Sequence, residues 1–453
     1  MKQMKPFATC VLLSMVCVLA GTSRPALAQN WSADARVIAL GGEGGSQSLD
    51  TKIIDEQRDY RAIVVPIGLI QVFSDFGKFD PGSAAFNPAL AIEDLTNPVY
   101  YVIGRDATNA GTSFVTDIRN ATLARNLSSY RGFVPASNLL AEGLTAPNWG
   151  GTIKLRKDAL GGFQGIYVGA GPYLSMHTDA SIDPGLTNLL ASPTPVTVPN
   201  AQYPITNTSQ GQVALAVTAG YRGRFGWPAG AGSGSNRNGL YVAANYNYLH
   251  GFRYEDIGLK IQLDTDSTGL IALAQATSPI VINRRTATSG QGFALDLGVG
   301  AVVDGWEVGF GANGIANRIT WNNMEQTSYS LGSLLSGNSN FIQTPRTLVG
   351  DARVELPVDY RGNVAYNADR WSVRAEGGEG FGGGSFHGGF EQRFHGFALR
   401  GGARYTVKQW NPTGGIGFDF SRRVSLDFAA FGTNANIELK RQVALAASIR
   451  IKS

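Results

Sequence analysis

The chain has 453 residues, of which 38 are basic, 34 acidic and only 16% charged in all. Setting aside Lys2, Lys5 and Arg24 leaves 35 basic against 34 acidic side chains, so no single-sign field remains to hold nucleic acid. Both cysteines, Cys10 and Cys17, lie in the first twenty residues, which excludes a disulfide framework, a cysteine nucleophile and thiolate metal sites from the rest.

The N-terminus reads as a leader. Lys2 and Lys5 supply the positive start, Val11 to Ala20 the apolar core, and Ala26-Leu27-Ala28 the small-x-small cleavage site. Residues 1–28 are therefore expected to be a signal peptide and the mature chain to begin at Gln29. A core of about ten residues is too short for a permanent helical span, which needs about 20. Neither cysteine is preceded by the small residue a lipidated cysteine requires.

Residues 29–148 form the next segment. Ala35–Leu40 and Pro98–Gly104 are expected as short strands, and Ala84–Leu95 and Asp117–Tyr130 as short helices. The segment reads as a plug or hatch inside a barrel, or as a small periplasmic unit.

From residue 149 to the end one pattern recurs, about ten residues of alternating polarity and then a turn. Phe397, Leu399, Ala403, Tyr405 and Val407 oppose Ala398, Arg400, Gly402, Arg404 and Thr406. Val443, Leu445, Ala447, Ile449 and Ile451 oppose Ala444, Ala446, Ser448, Arg450 and Lys452. Phe293–Val299, Val354–Tyr360 and Trp371–Ala375 repeat it. A two-residue period marks strands with unlike faces. Strands of this length, with 58 glycines and 10% aromatic residues, fit a membrane wall with lipid on one side and a lumen on the other.

The fold expected is all-β, an antiparallel transmembrane β-barrel of about 14 strands (12–16), residues 149–453, with the N-terminal hatch containing short helices. Trp306, Trp321, Trp371, Trp410 and Phe431, near strand ends, suit interfacial girdles. Arg353, Glu355, Arg374, Glu376, Arg400, Arg404, Asp419 and Asp427 fall at inward positions and favour a filled lumen, hence the plug. Three stretches break the rhythm and are expected as long loops: Asp179–Gln210, Asp264–Thr288 and Asn322–Gly350.

Two places carry a family resemblance. Ala35-Arg36-Val37-Ile38-Ala39-Leu40-Gly41-Gly42, followed later by Gly82-Ser83-Ala84-Ala85-Phe86-Asn87-Pro88-Ala89-Leu90, resembles the N-terminal signature of FadL-like outer-membrane barrels and their PorV and TraF-like relatives. Leu399–Gly402, Thr413–Phe418 and Leu426–Ala429 resemble the final hairpins of that group. The resemblance implies a 14-stranded barrel with an N-terminal hatch, whose motif is Gly41, Gly42, Asn87, Pro88 and Ala89. It further implies either uptake of apolar molecules that leave sideways into the membrane, or a partner barrel in a secretion or conjugation apparatus.

Among candidate sites, Leu270, Ile271 and Leu273, with Leu331, Leu334, Leu335 and Phe341, would expose apolar surface on the loops and are expected to meet a ligand. Asp264, Asp266 and Thr268 resemble the start of a calcium loop, but position twelve is Gln275 rather than a bidentate glutamate, so a polar loop is the favoured reading. The run Gly377–Gly384 lacks the lysine and the strand-to-helix setting of a phosphate cradle and is expected as a hairpin turn. Ser385 and His387 share one strand face without the context of an activated nucleophile, and His387 and His395 are spaced to face one another across a hairpin.

The expected function is passive uptake of hydrophobic small molecules through a plugged outer-membrane barrel, with the partner barrel as alternative and a barrel hydrolase third. No enzyme activity and no cofactor are expected. Expected partners are outer-membrane lipid, the barrel-assembly machinery, and a hydrophobic small molecule or a secretion-machinery protein.

Overall fold

The computed structural model describes residues 27–28, 34–42, 60–75, 78, 90, 94, 99–105, 117, 126, 129, 138–145, 149–157, 162–191, 198–228, 237–269, 280–331, 341–380, 383–406, 409–421, 423–433 and 441–452. Among them, 21 strands join in one sheet. They are β1 (Leu27–Ala28), β2 (Tyr60–Val65), β3 (Tyr101–Ile103), β4 (Asn138–Thr145), β5 (Trp149–Lys157), β6 (Phe163–Ile182) and β7 (Gln202–Gly226). Next come β8 (Gly239–Asp264), β9 (Ile280–Ala287), β10 (Gly290–Val303), β11 (Trp306–Asn313), β12 (Asn317–Leu331), β13 (Phe341–Gln343) and β14 (Thr347–Val354). The last are β15 (Asp359–Asn367), β16 (Trp371–Gly380), β17 (Gly383–Arg393), β18 (Phe397–Thr406), β19 (Gln409–Asp419), β20 (Val424–Thr433) and β21 (Gln442–Lys452). Three helices are described: α1 (Ala35–Ala39), α2 (Leu69–Ser74) and α3 (Pro184–Ala191).

Strands adjacent in sequence pair antiparallel along most of the sheet, so the chain is a meander. Tight turns hold the register. Asp304 and Gly305, both at positive φ (48° and 91°), make the two-residue connection from β10 to β11 whose twist suits paired strands. Gly380 pairs directly with Gly383, so β16 and β17 form a hairpin, and most of the Gly377–Gly384 run expected as its turn lies within the paired strands. β2, β3 and β4 precede residue 149 yet pair into the same sheet, β2 and β3 on β21 and β4 on β6.

The two faces are unlike in the sense opposite to a water-soluble sheet. Leu297, Val299, Phe310, Leu399 and Val443 are 44–51% exposed, whereas Asn363, Glu376, Arg400 and Ser448 are at most 7% exposed. Apolar residues face outward and polar residues inward. Such a surface is stable where the surroundings are hydrocarbon. Among the described residues no helix is long and apolar enough to cross a membrane.

In β7 and β8 this polarity reverses partway along. In β7, Val213, Leu215, Val217, Tyr221 and Phe225 point outward, but nearer its start the exposed residues are Gln202, Thr206 and Thr208, and Tyr203 is buried. In β8, Leu240, Tyr246, Tyr248 and Phe252 point outward, but beyond them Leu259, Ile261 and Leu263 are buried and Lys260 is exposed. The reversal lies at an irregularity where Val213 pairs Arg253 and Ala214 pairs Gly251, so that Phe252 is passed over. The extra residue belongs to β8, whose side chains change face there. β7 runs on unbroken, so Tyr203 and Val217 share a face and what changes along β7 is which face is covered. With 25 and 26 residues, these strands reach roughly 85 Å at about 3.3 Å per residue, against roughly 30 Å of hydrocarbon. Their far halves therefore stand in water, with an ordinary apolar-inside arrangement.

There the buried face is covered by α3. Asp183 Oδ1 accepts from the backbone N–H groups of Gly185 (2.8 Å) and Leu186 (3.2 Å), and Pro184 occupies the first helical turn, where its missing N–H costs nothing. Leu186 and Leu189 then pack on Tyr203, Leu259, Ile261 and Ile280. The boundary is testable. Val217→Arg should destabilise the protein by about 2–4 kcal/mol, the cost of a cation in mid-bilayer, whereas Thr206→Arg should stay within about 0.5 kcal/mol. Urea unfolding in lipid vesicles would measure both. Equal costs would mean that the two halves of β7 share one solvent.

Several expectations are corrected. Ala35–Leu40 is a helix, not a strand: Asp34 accepts from Arg36 N–H (2.8 Å) and caps it, and Gly41 at φ 89° ends it. A five-residue apolar run does not distinguish the two. Within the described residues, the three rhythm breaks contain strands. β6 continues to Ile182 and β7 begins at Gln202, β9 occupies Ile280–Ala287, and β12 runs to Leu331. The strand expected in Pro98–Gly104 is β3, while the two expected helices, Ala84–Leu95 and Asp117–Tyr130, lie almost wholly outside the described residues.

Candidate lumen and wall opening

The buried face of β18 to β21 seats α1. Ala35 N–H donates to Ser448 Oγ (2.9 Å), and Thr413 Oγ1 donates to the Ala39 carbonyl (3.0 Å). Arg36 grips Glu391 through Nε (2.8 Å) and Nη2 (3.0 Å). Glu391 also accepts from Arg400 Nε (2.7 Å), whose Nη1 reaches Asp427 (2.6 Å), and Asp427 accepts from Arg450 Nε (2.5 Å). The result is a buried line of alternating charges, Arg36–Glu391–Arg400–Asp427–Arg450, in which each carboxylate serves two guanidinium groups. Burial pushes the Asp34 carboxyl above the usual carboxylate range, with Asp427 nearby adding to the effect.

Glycines make the seat. A Cβ on Gly389 would lie 2.3 Å from the Leu40 carbonyl oxygen, and one on Gly402 2.7 Å from the Leu40 carbonyl carbon. The close approach of Leu40 thus explains the glycines in both strands. Gly41 and Gly42 of the expected hatch motif are described and buried here, while Asn87, Pro88 and Ala89 lie outside the described residues.

Beside the seat runs a row of directly paired, buried polar residues: Asn363, Glu376, His387, Arg404 and Asn411. Arg361 donates to Asp359 (3.0 Å) and Glu376 (3.3 Å), and His387 Nε2 lies 3.9 Å from Glu376 Oε1. The Arg404 guanidinium sits 4.4 Å over the Phe431 ring. Ser385 Oγ and His387 Nδ1 are buried with no hydrogen-bond partner, so they do not bond each other. A serine nucleophile needs that contact with its base, and the geometry does not supply it. His387 pairs across its strands with Glu376 and Arg404, and His395 lies in the turn between β17 and β18, so the expected pairing of the two histidines is corrected.

Elsewhere the inward face is apolar. Tyr254, Trp321, Met324 and Ile319 form a cluster to which Val354 and Leu356 are partly added. Trp321 is fully buried, stacked on Tyr254 at 5.5 Å between centroids, and its Nε1 donates to Gln212 (3.3 Å). Gly251 and Gly290 leave its ring room. Trp321 and Phe431 therefore do not belong to a girdle, a second correction, whereas Trp306, Trp371 and Trp410 are 38–53% exposed as expected. Arg353 and Glu355 are also corrected. They point outward and pair with each other, because β14 turns Val354 inward. The phase changes again before Asp359 and Arg361, which are buried as expected. Arg374 is half-buried, Glu376, Arg400, Arg404 and Asp427 are buried, and Asp419 is exposed at the end of β19.

That second phase change coincides with a break in the wall. The β11–β15 ladder ends at Asn313–Asp359, and the β12–β14 ladder starts at Ile319–Val354. Between them, residues 314–318 and 355–358 share no backbone pairs. Asn317 bridges the interval with its side chain, donating to the carbonyls of Gly314 and Leu356 (both 2.9 Å) and accepting from Leu356 N–H (2.8 Å). Gly314, at φ 67°, allows the bend, and Pro357 cannot donate to a ladder. Alternation did not reveal this break in the pairing. The signal available in the sequence was Gly314 and Pro357, each interrupting an otherwise regular run.

Of the expected ligand residues, Leu331 and Phe341 are directly paired, and Leu270, Ile271, Leu273, Leu334 and Leu335 lie outside the described residues. Asp264 accepts from Gln262 (2.8 Å), and Asp266 Oδ1 accepts from the N–H (2.8 Å) and hydroxyl (2.6 Å) of Thr268, closing its own turn. Among the described residues no three His, Cys, Asp or Glu side chains are grouped to hold a metal ion.

No protein-family model and no curated protein matches the chain. Solved structures do. The toluene transporter TodX of Pseudomonas putida is similar at 12% identity and a TM-score of 0.29, over 74% of this chain and 92% of that one. A TodX mutant described as a monoaromatic hydrocarbon channel gives 13% and 0.32, over 72% and 92%. The Salmonella typhi outer membrane phospholipase, a dimer with bound calcium, gives 10% and 0.23, over 53% and 79%.

Proposed function

We propose that the sheet closes into an outer-membrane barrel and passes hydrophobic small molecules passively from the external water to the membrane. Closure is required on physical grounds, since an open sheet edge leaves unpaired backbone groups in hydrocarbon. The pairings support 14 wall positions: nine single strands, and five positions shared end to end by β2 with β3, β4 with β5, β9 with β10, β11 with β12, and β13 and β14 with β15. In this reading α1 is part of a hatch on the lumen wall, and the far halves of β7 and β8 face the outside.

The break between residues 314–318 and 355–358 carries the proposal. It lies beside Leu356, at the end of the apolar cluster around Trp321, so an apolar solute inside meets an apolar surface leading to a weakly closed place in the wall. A cysteine pair, Asn317→Cys with Leu356→Cys, tests it, because the sequence after Cys17 has no other thiol. In vesicles, uptake of a lipophilic fluorescent probe should fall to the protein-free level when the pair is oxidised and return on reduction. Uptake indifferent to the disulfide would refute the sideways route.

A further inference from the structure

Ser385 and His387 are two residues apart on β17 and therefore share its inward face. Both are at least 96% buried, and Ser385 Oγ and His387 Nδ1 have no partner. Unpaired polar atoms in a buried wall are costly, and the surrounding ones are otherwise engaged: Arg361 is held by Asp359 and Glu376, and Glu376 lies 3.9 Å from His387 Nε2. The Glu376 carboxylate, 3.9 Å from Nε2, favours the ring proton on that side electrostatically, and with the proton there Nδ1 is an acceptor. The serine hydroxyl can donate. One acceptor and one donor, side by side on one face, match a group that both donates and accepts at a single atom.

We infer that Ser385 and His387 form a subsite for the hydroxyl group of an otherwise apolar molecule, its O–H donating to His387 Nδ1 and its oxygen accepting from Ser385 Oγ. The inference rests on the uptake reading and narrows its substrate class. The location suits it. Ser385 lies two strands from Asp359, the lower lip of the wall break, about 10 Å across the sheet.

The test compares 1-naphthol with 1-methylnaphthalene, which match in shape and differ in the hydroxyl, by fluorescence titration of the purified protein in detergent. The ratio of the two affinities is the readout. Unmodified protein should prefer 1-naphthol about tenfold, and Ser385→Ala should reduce the preference to about twofold or less. His387→Phe should do the same, and heat-modifiable migration in SDS gels would confirm that each variant is folded. Equal binding of both probes by unmodified protein would overturn the subsite alone, with water as its only occupant. A preference retained in Ser385→Ala would also overturn it. Failure of both probes to bind would remove the uptake reading together with the subsite.

Discussion

Glu391→Ala is expected to destabilise the protein by about 3–5 kcal/mol and to free the N-terminal segment from the sheet. Glu391 is the one carboxylate that Arg36 and Arg400 share, at 2.7–3.0 Å. Removing it leaves two buried guanidinium groups facing each other. Arg400 retains Asp427, whereas Glu391 is what ties Arg36 to this line, so α1 should loosen in its seat. Urea unfolding in vesicles reads the first effect. Limited trypsin digestion reads the second, because the bond after Arg36 is buried now and would become cleavable. Glu391→Gln, which keeps a hydrogen-bond acceptor without the charge, should fall between. Unchanged proteolysis at Arg36 in Glu391→Ala would mean that the glycine seat alone holds the segment.

Trp321→Ala should cost a similar amount, about 3–5 kcal/mol, through the cavity left by a fully buried indole. The ring fills the space over Gly251 and Gly290, where a Cβ would approach it to 2.4 and 2.7 Å, so no neighbour can grow into the void. Gly251→Val tests the same fit from the other side. It should also destabilise, by overpacking, and in combination with Trp321→Ala its penalty should largely disappear. Thermal unfolding of the two single variants and the double variant gives the coupling. Strict additivity would show that Trp321 and Gly251 are not packed as described.

The two-residue rhythm was enough to identify the wall and its faces. Phe397, Leu399 and Tyr405 are exposed and Arg400 and Arg404 buried because alternation is a property of the strand itself, independent of what lies on either side. Rhythm does not say which face meets lipid. In β7, Val217 and Tyr203 share one face of the strand, yet Val217 is exposed and Tyr203 is buried, so what covers each half decides where one solvent gives way to the other.

By itself, then, the sequence determined an all-β chain of alternating strands with inward charges and a glycine-marked N-terminal segment. The tertiary structure decided the rest. Arg36 meets Glu391 across 355 residues, and Asn317 meets Leu356 across 39. Trp321 fits between glycines on two other strands. Each of these depends on which strands are neighbours and in what register, and pairing between distant segments leaves no periodic trace along the chain.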